Sequence, residues 1–110
     1  MYRSDLSHPR QQLVEEMQRL NFGWIRNLRV RAGEPVWEPA PRVVRDIILG
    51  KRHDRIAQHD GDDFELKRQI SDLLALFERE RSLEIECLEV QNGLPFRVTL
   101  VEKVGTESMP

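Results

Sequence analysis

Apolar residues recur in the same order in two parts of this chain, 60 positions apart and without a gap. The two copies read Ile25-x-x-Leu28-x-Val30-x-x-Gly33-x-Pro35-Val36 and Ile85-x-x-Leu88-x-Val90-x-x-Gly93-x-Pro95-Phe96. The match extends upstream, where apolar residues at helical spacing also fall 60 positions apart: Leu13, Val14 and Met17, then Leu73, Leu74 and Phe77. The pattern predicts an internal structural repeat.

Each copy is predicted to run as a helix followed by two strands. The first helix carries one apolar face, made of Leu13, Val14, Met17 and Leu20. Its ends are marked by residues that favour helix termini: Ser7 or His8 with Pro9 at the start, and Asn21 or Gly23 at the end. In the second copy, Asp62 and Glu65 have the spacing of a capping box, so we expect a helix from about residue 63 to about 81.

The glycine of each copy is predicted to turn a hairpin. Asn92-Gly93 alone would fit a two-residue type I′ loop, but alanine at position 32 disfavours the positive φ that this loop needs at both centres. We therefore predict three-residue loops in which Gly33 and Gly93 have positive φ. This register places Leu28 opposite Val36 and Leu88 opposite Phe96.

The same register divides the strand residues between two faces. The apolar face, including Val30, Val90, Val98 and Leu100, is predicted to lie under the helices. The other face is predicted to carry Arg29, Arg31, Pro35, Trp37, Glu89, Pro95, Arg97 and Thr99. The spacing of Ile25 and Leu28, and of Ile85 and Leu88, breaks the two-residue alternation. It indicates either a bulge near residues 26–27 and 86–87 or an isoleucine that ends the helix-to-strand loop.

Between the copies lies Pro39-Ala40-Pro41, a stiff extended break. Residues 42–49 favour a strand with Val43, Ile47 and Leu49 inward, because β-branched residues dominate. A helix whose stripe is Val43, Val44, Ile47 and Ile48 is the alternative. Residues 50–62 have the composition of a solvated linker.

The predicted fold is α+β in two layers. Two α-β-β repeats form one antiparallel sheet with both helices on one face, related by a pseudo-twofold axis. We expect one domain over residues 1–110, divided into repeat one (about 8–38), a strand and linker (39–62), repeat two (about 63–101) and a disordered tail (about 103–110).

The segment from Leu20 to Gly33, which contains the aromatic-glycine step Phe22-Gly23-Trp24, resembles the small YezD-like proteins of bacteria over about residues 10–38. The second copy resembles them only in its hairpin at 83–98, because Arg81-Ser82 replaces the aromatic-glycine step. That family is functionally uncharacterised. The resemblance therefore implies a bacterial cytoplasmic setting and no activity, and it assigns no functional residue.

Composition narrows the classes of protein. The chain has 39% hydrophobic and 33% charged residues with a net charge of −2, which argues against disorder and against a wholly basic nucleic-acid binder. The single cysteine, Cys87, allows no internal disulfide, and the first residues show no apolar signal segment. The longest apolar run is far below the length of a membrane span. We expect a cytoplasmic protein without membrane contact.

Few residues point to catalysis or metal binding. Polar metal-ligating types crowd the linker, namely His53, His59, Asp60, Asp62 and Asp63, but without the spacing of a known site. Cys87 has three nearby glutamates, which would oppose a reactive thiolate. No catalytic motif occurs. We therefore predict no enzyme, no catalytic residues, no cofactor and no metal.

Charge is uneven along the chain. Residues 24–55 hold 8 Lys/Arg against 4 Asp/Glu, whereas residues 56–110 hold 6 against 12. The basic stretch could bind nucleic acid through Arg26, Arg29, Arg31, Arg42, Arg45, Lys51, Arg52 and Arg55. The acidic second half disfavours that partner. At the 60-residue offset Arg26 matches Glu86 and Arg29 matches Glu89, so opposite charges could face each other in the sheet.

The function favoured by these patterns is protein interaction or self-association. The expected contact surface is Arg29, Pro35, Trp37 and Arg97 on the face that the helices leave bare, most simply in a homodimer. The alternative for Trp37 is that Pro39-Ala40-Pro41 folds back over its ring. Nucleic-acid binding by the 24–55 region is the alternative function.

Overall fold

A computed structural model of the chain describes residues 5–50 and 68–102. The elements are α1 (His8–Leu20), β1 (Gly23–Arg31), β2 (Glu34–Pro35), β3 (Arg42–Arg45), α2 (Arg68–Glu80), β4 (Leu83–Gln91) and β5 (Leu94–Leu100). The bounds of α1 and α2, and those of β1 and β4, differ by the same 60 positions. The predicted repeat is therefore confirmed for whole elements.

Helix α1 begins and ends at residues suited to helix termini. Ser7 Oγ accepts a hydrogen bond from the Arg10 backbone N–H at 3.4 Å. At the other end Asn21 has φ of 65°, and its N–H donates to Met17 O at 2.9 Å. Arg81 takes the same role after α2, with φ of 64°. The predicted start of α2 near residue 63 lies outside the described residues, as do the linker from residue 51 and the tail 103–110.

The strands form one antiparallel sheet in the order β2-β1-β4-β5, and β3 pairs with the same edge of β1 as β2 does. At its centre Ile25 pairs with Leu88 and Leu28 pairs with Ile85. When each residue is replaced by its equivalent 60 positions away in the other repeat, each of these two pairings becomes the other. A pseudo-twofold axis therefore passes between β1 and β4, near residues 26–27 and 86–87.

The predicted irregularity of the central strands is present in both. Arg26 and Asn27 are exposed between two buried residues, and Asn27 has φ of 60°. In β4 the register against β5 shifts between Ile85 and Cys87. Each central strand thus presents two successive residues to the outside at its midpoint.

Both helices pack on one face of the sheet, as predicted. A single core joins their apolar faces to the inward residues of β1 and β4. The buried members are Leu6, Leu13, Val14, Met17, Leu20, Ile25, Leu28, Val30, Ile70, Leu73, Leu74, Phe77, Leu83, Ile85, Leu88 and Val90. At about 25 cal/mol per Å² of apolar surface, this burial is the main stabilising contribution.

The hairpin turns tie the two repeats together. The Gly33 N–H donates to Arg81 O, and the Gly93 N–H donates to Asn21 O, both at 2.9 Å. These bonds are equivalent under the 60-residue offset. Each turn is held at the C-terminal end of the helix of the other repeat, where backbone carbonyls lack helical partners.

The prediction of three-residue loops is wrong. Ala32 and Asn92 both have φ of 55°, and the glycines that follow have φ of 77° and 75°, so both turns are two-residue loops of the I′ kind. The positive φ of Gly33 and Gly93 is confirmed. Alanine accepts the left-handed conformation because the I′ loop matches the twist of the strands and because Gly33 is clamped from both helices.

The clamp on Gly33 is built from charged side chains. Arg10 Nη2 and Nε donate to Gly33 O at 2.7 and 3.2 Å. Arg10 Nη2 also donates to the Glu78 carboxylate, whose Oε1 accepts from Arg81 Nη1 at 2.8 Å. Ser7 Oγ donates to Glu34 Oε1 at 2.6 Å. The first turn therefore contacts the start of α1 and the end of α2.

The shorter loops change the register of both hairpins. Val30 pairs with Pro35 and Val90 with Pro95, so both prolines lie inward and are buried. Their predicted place on the outer face is wrong.

The predicted cross-strand partners of the two leucines are wrong as well. The Val36 N–H donates to Arg29 O at 2.9 Å, so Val36 does not lie opposite Leu28. Leu88 pairs with Val98 and not with Phe96. The register of β4 against β5 shifts between Glu89 and Val90, which leaves Phe96 54% exposed.

Residues 42–49 form a shorter strand than predicted. Arg42–Arg45 pairs with β1, and Val43 packs against the core as expected. The Asp46 N–H still donates to Phe22 O at 2.9 Å, but Phe22 precedes β1 and the chain then leaves the sheet. Ile47 is 60% exposed and Leu49 is 86% exposed, so their predicted inward orientation is wrong.

Candidate interaction face

The sheet face opposite the helices is the candidate functional surface, and it is called the open face below. Strand residues alternate between the core and this face. Its members are Trp24, Arg26, Asn27, Arg29 and Arg31 of β1, Arg42 and Val44 of β3, Glu84, Glu86, Cys87 and Glu89 of β4, and Arg97 and Thr99 of β5. No described helix covers them.

Charge on the open face is separated by strand. The outward residues of β1 include three arginines, and those of β4 include three glutamates. The two strands are equivalent halves of the repeat, so Arg26 occupies the position that Glu86 holds in the second copy. The pseudo-twofold axis thus relates a basic column to an acidic column.

Ion pairs cross between the two columns toward one end. The Arg31 Nη2 to Glu84 Oε2 distance is 2.6 Å, and Arg29 Nε lies 3.9 Å from Glu84 Oε1. The hydrogen bond from Arg31, with the charges of Arg31 and Arg29, lowers the pKa of Glu84 despite partial desolvation. Opposite charges do face each other at Arg29 and Glu84, but the antiparallel register pairs neither Arg26 with Glu86 nor Arg29 with Glu89, so the two matched pairs are wrong.

At the centre of the open face, the positive charges are not matched by neighbouring negative charges. Arg26 lies directly opposite Arg42 on one side and Cys87 on the other. Like charges facing each other destabilise a sheet. Within residues 5–50 and 68–102, neither of these arginines nor Glu86 makes an ion pair. Among the described residues, nothing neutralises these charges, and we treat them as candidates for contact with a partner.

A trough of about 420 Å³ runs across the open face. It is lined by Asn27, Arg29, Pro39, Ala40, Glu84, Ile85, Glu86 and Val101. Pro39 and Ala40 form one rim beyond β1, and Val101 forms the opposite rim beyond β4. Both rims are apolar and exposed, whereas the floor is charged.

A smaller groove lies between α2 and the edge strand β5. Its volume is about 240 Å³, and its walls include Leu73, Leu76, Pro95 and Phe96. Arg97 Cζ lies 5.4 Å from the centre of the Phe96 ring, a cation–π distance. This groove is on the other side of the edge strand from the trough.

Two of the four predicted contact residues do not lie on the open face. Arg29 and Arg97 do, but Pro35 is buried and Trp37 packs against the core. Trp37 Nε1 donates to Pro9 O at 3.2 Å, so the indole contacts the first turn of α1. The expected orientation of Trp37 is therefore wrong, because the two-residue loop reverses the side of the sheet to which this part of the chain points.

The predicted basic patch is only partly assembled. Arg26, Arg29, Arg31 and Arg42 share the open face, and Arg45 is exposed at the end of β3. Lys51, Arg52 and Arg55 lie outside the described residues, as do His53 and His59.

Sequence reasoning did not place Glu84 and Glu86 on the contact surface, although they lie beside the arginines of β1. The signal for them was the match of arginine to glutamate at the 60-residue offset. That match shows which residues are equivalent, and only the register shows which of them are neighbours.

Metal-binding clusters and membrane-spanning helices are absent from the described part of the chain. No three His, Cys, Asp or Glu residues in residues 5–50 and 68–102 are grouped as metal ligands. None of the helices in these ranges is long and apolar enough to cross a membrane. Comparison with protein-family models, with curated proteins and with solved structures gave no match to this chain.

Proposed function

We propose that this chain is a small protein-interaction module and that the open face is its binding surface. The observation that carries this proposal is the separation of charge on a sheet face that no described helix covers. A basic column beside an acidic column gives a partner both a preferred position and a preferred orientation. No catalytic or cofactor-dependent role is proposed, and the cytoplasm is the proposed location.

Arg26 is the residue on which to test the proposal. It is exposed and faces Arg42, and reversing its charge breaks no ion pair among the described residues. Affinity capture with the parent protein and with Arg26→Glu should give proteins that the variant loses. Arg79→Glu is the control for charge reversal at another site, since the Arg79 side chain on α2 is 68% exposed, lies away from the open face and pairs with its chain neighbour Glu80.

The same capture can contradict the proposal. If partners bind Arg26→Glu as well as the parent but are lost with Arg79→Glu, the binding surface is on the helices. The open face would then have no part in the interaction.

Nucleic acid is the second candidate partner. It is favoured by Arg26 and Arg42, which place two positive charges opposite each other in neighbouring strands. Phosphate binding by these arginines predicts retention on heparin that falls steeply with salt. The neighbouring glutamates of β4 would repel a polyanion, so we place this function second. Heparin retention that survives Arg26→Glu would exclude this patch.

A further inference from the structure

We propose that the open face binds a second copy of this chain, about a twofold axis that runs parallel to β1 and β4. This inference rests on the proposed function and names the partner. The arginine column of each copy then lies over the glutamate column of the other. One chain therefore carries both the basic column and the acidic column that the contact requires.

The orientation of the axis follows from the charges. A twofold axis parallel to the strands and between β1 and β4 carries β1 of one copy over β4 of the other. A twofold axis across the strands would carry β1 over β1, and arginine would meet arginine. Like charges facing each other across an interface suppress binding, so the charge pattern selects the first arrangement.

The position of the axis follows from the pseudo-symmetry of the sheet. With the axis at the centre of the sheet, each residue of β1 lies over the row of its own partner on β4. Arg29, which pairs with Glu84 in its own copy, then also lies over Glu84 of the second copy. The four side chains alternate in sign around the axis.

The central charges that make no ion pair among the described residues find partners in this arrangement. Arg26 and the second copy's Glu86 lie one row apart, about 3.3 Å along the strands. Packed sheets are about 10 Å apart, a gap that an arginine and a glutamate side chain span together. The contact occurs twice, and it would relieve the repulsion between Arg26 and Arg42.

The proposed axis also brings the apolar rims of the trough of the two copies together. The Val101 N–H donates to Glu84 O at 3.0 Å, so Val101 is near the row of Arg29. The axis brings Pro39 and Ala40 of one copy to the second copy's Val101, which is 54% exposed in the single chain. Apolar contacts would then flank the charged centre on both sides.

The size of the face fits a reversible dimer. The central strands have 9 residues each, which corresponds to a length of about 30 Å at about 3.3 Å per residue. Four strands at about 4.8 Å spacing give a width of about 19 Å. Two such faces bury about 1,100 Å², just below the range for stable specific interfaces and within that of weak, transient ones.

Sedimentation velocity of matched charge variants tests the arrangement. The parent should be dimeric at low salt and should dissociate as NaCl rises from about 0.05 M to about 0.5 M. Arg26→Glu alone and Glu86→Arg alone should each be monomeric, since each places like charges across the axis. Arg79→Glu should remain dimeric, and circular dichroism should show that every variant is folded.

Mixing the two monomeric variants is the decisive measurement. In a mixed pair, the glutamate introduced at position 26 of one chain meets the arginine introduced at position 86 of the other. The unchanged Glu86 of the first chain meets the unchanged Arg26 of the second. An equimolar mixture of Arg26→Glu and Glu86→Arg should therefore recover the dimer that neither forms alone. An interface elsewhere on the molecule predicts no such recovery.

Cys87 provides an independent readout, because it lies on the open face in the row of Arg26. In the proposed dimer the two thiols are near the axis, so a short bis-maleimide should link two parent chains. The variant Cys87→Ser with Arg79→Cys should not be linked at the same protein concentration.

Three results would overturn the inference. They are a parent that is monomeric at about 1 mM in low salt, single variants that dimerise like the parent, and a mixture of variants that stays monomeric. If the parent is monomeric while capture of another protein depends on Arg26, the open face is a binding surface and only its proposed occupant is wrong. If the parent is monomeric and no captured protein depends on Arg26, the proposed function fails as well.

Discussion

Ala32 shows how a single residue can hold an unfavourable conformation when its surroundings fix it. Its φ of 55° equals that of Asn92 in the equivalent turn, although asparagine adopts this conformation more readily. The difference lies in the contacts of the next residue. Both turn glycines donate to the end of the other repeat's helix, but only Gly33 O also accepts from an arginine, Arg10, which Ile70 replaces in the second repeat.

We predict opposite effects of substitution at the two positions of this turn. Gly33→Ala should lower stability by about 1 kcal/mol or more, since its φ is 77° and a Cβ would lie 2.9 Å from Arg81 Nη1. Ala32→Gly should raise stability by about 0.5–1 kcal/mol, because it removes the strained Cβ. Urea unfolding midpoints measure both changes. Equal effects of the two variants would contradict the I′ assignment.

Glu78 predicts a dependence of stability on pH. The hydrogen bond and charge of Arg10, with a smaller contribution from Arg81, lower the pKa of Glu78 although slight desolvation opposes them. A lowered pKa means that the folded state favours the ionised carboxylate. The resulting stability is present above the ordinary glutamate pKa and is lost as the pH falls through the lowered value.

Glu78→Gln isolates this contribution. Urea unfolding of the parent and the variant between pH 7 and about pH 3 should show the parent more stable at neutral pH, with the difference shrinking in acid. The effect is expected to be modest, because Glu78 is exposed and solvent screens the pair. A difference that stays constant across the whole range would show that ionisation of Glu78 does not matter.

At the scale of elements, the two repeats differ most in their outer strands. In the second repeat β5 runs unbroken from Leu94 to Leu100, whereas in the first the equivalent pairing is divided between β2 and β3. After Val36 the chain leaves the sheet until β3, and this segment carries Trp37 to the start of α1 and forms the rim of the trough. The departure from symmetry therefore creates both the anchor of α1 and one wall of the open face.

We predict that Trp37 stabilises the monomer and does not mediate association. Trp37→Ala should lower stability by about 3 kcal/mol, near the lower end for loss of a large buried aromatic, because the indole is only partly buried. Trp37→Phe keeps much of the packing and loses the bond to Pro9 O, so it should cost about 1 kcal/mol. Unfolding midpoints give stability, and sedimentation of the folded variants gives association. Loss of association in a fully stable Trp37→Phe would contradict this assignment.

The elements that the sequence predicted well are those with local determinants. The C-terminal ends of both helices follow from residues close to them in the chain, and the equivalence of positions in β1 and β4 follows from comparing the two copies. The outer strands were predicted less well. A one-residue difference in loop length moves Pro35 and Pro95 inward and Phe96 outward, and the residues of the loop alone do not decide between the two lengths.

At the scale of the whole molecule, the repeats depend on each other. Each hairpin turn bonds to the helix end of the other repeat, and the strands that meet at the pseudo-twofold axis are buried by both helices. A single α-β-β unit of this size would leave its strand edge and much of its apolar face in water. The fold is therefore expected to form as one cooperative unit.

Cutting the chain between residues 58 and 59 tests this dependence. We predict that neither fragment alone shows a cooperative thermal transition by circular dichroism. An equimolar mixture should regain helical signal and a cooperative transition, since the central β1–β4 pairing can form between chains. A cooperative transition in the fragment 1–58 alone would show that one repeat is an independent folding unit.

The sequence by itself determined the repeat, the α+β class, the inward residues of the central strands and the sign of the charges on β1 and β4. These features depend on periodicity within an element or on comparison of the two copies. Only the tertiary structure decided the turn type, the side of Trp37 and the pairing of Arg29 with Glu84. Each of these depends on groups far apart in the chain, such as Arg10, Glu78 and Arg81 around Gly33, whose contacts outweigh the local preference of Ala32 for negative φ.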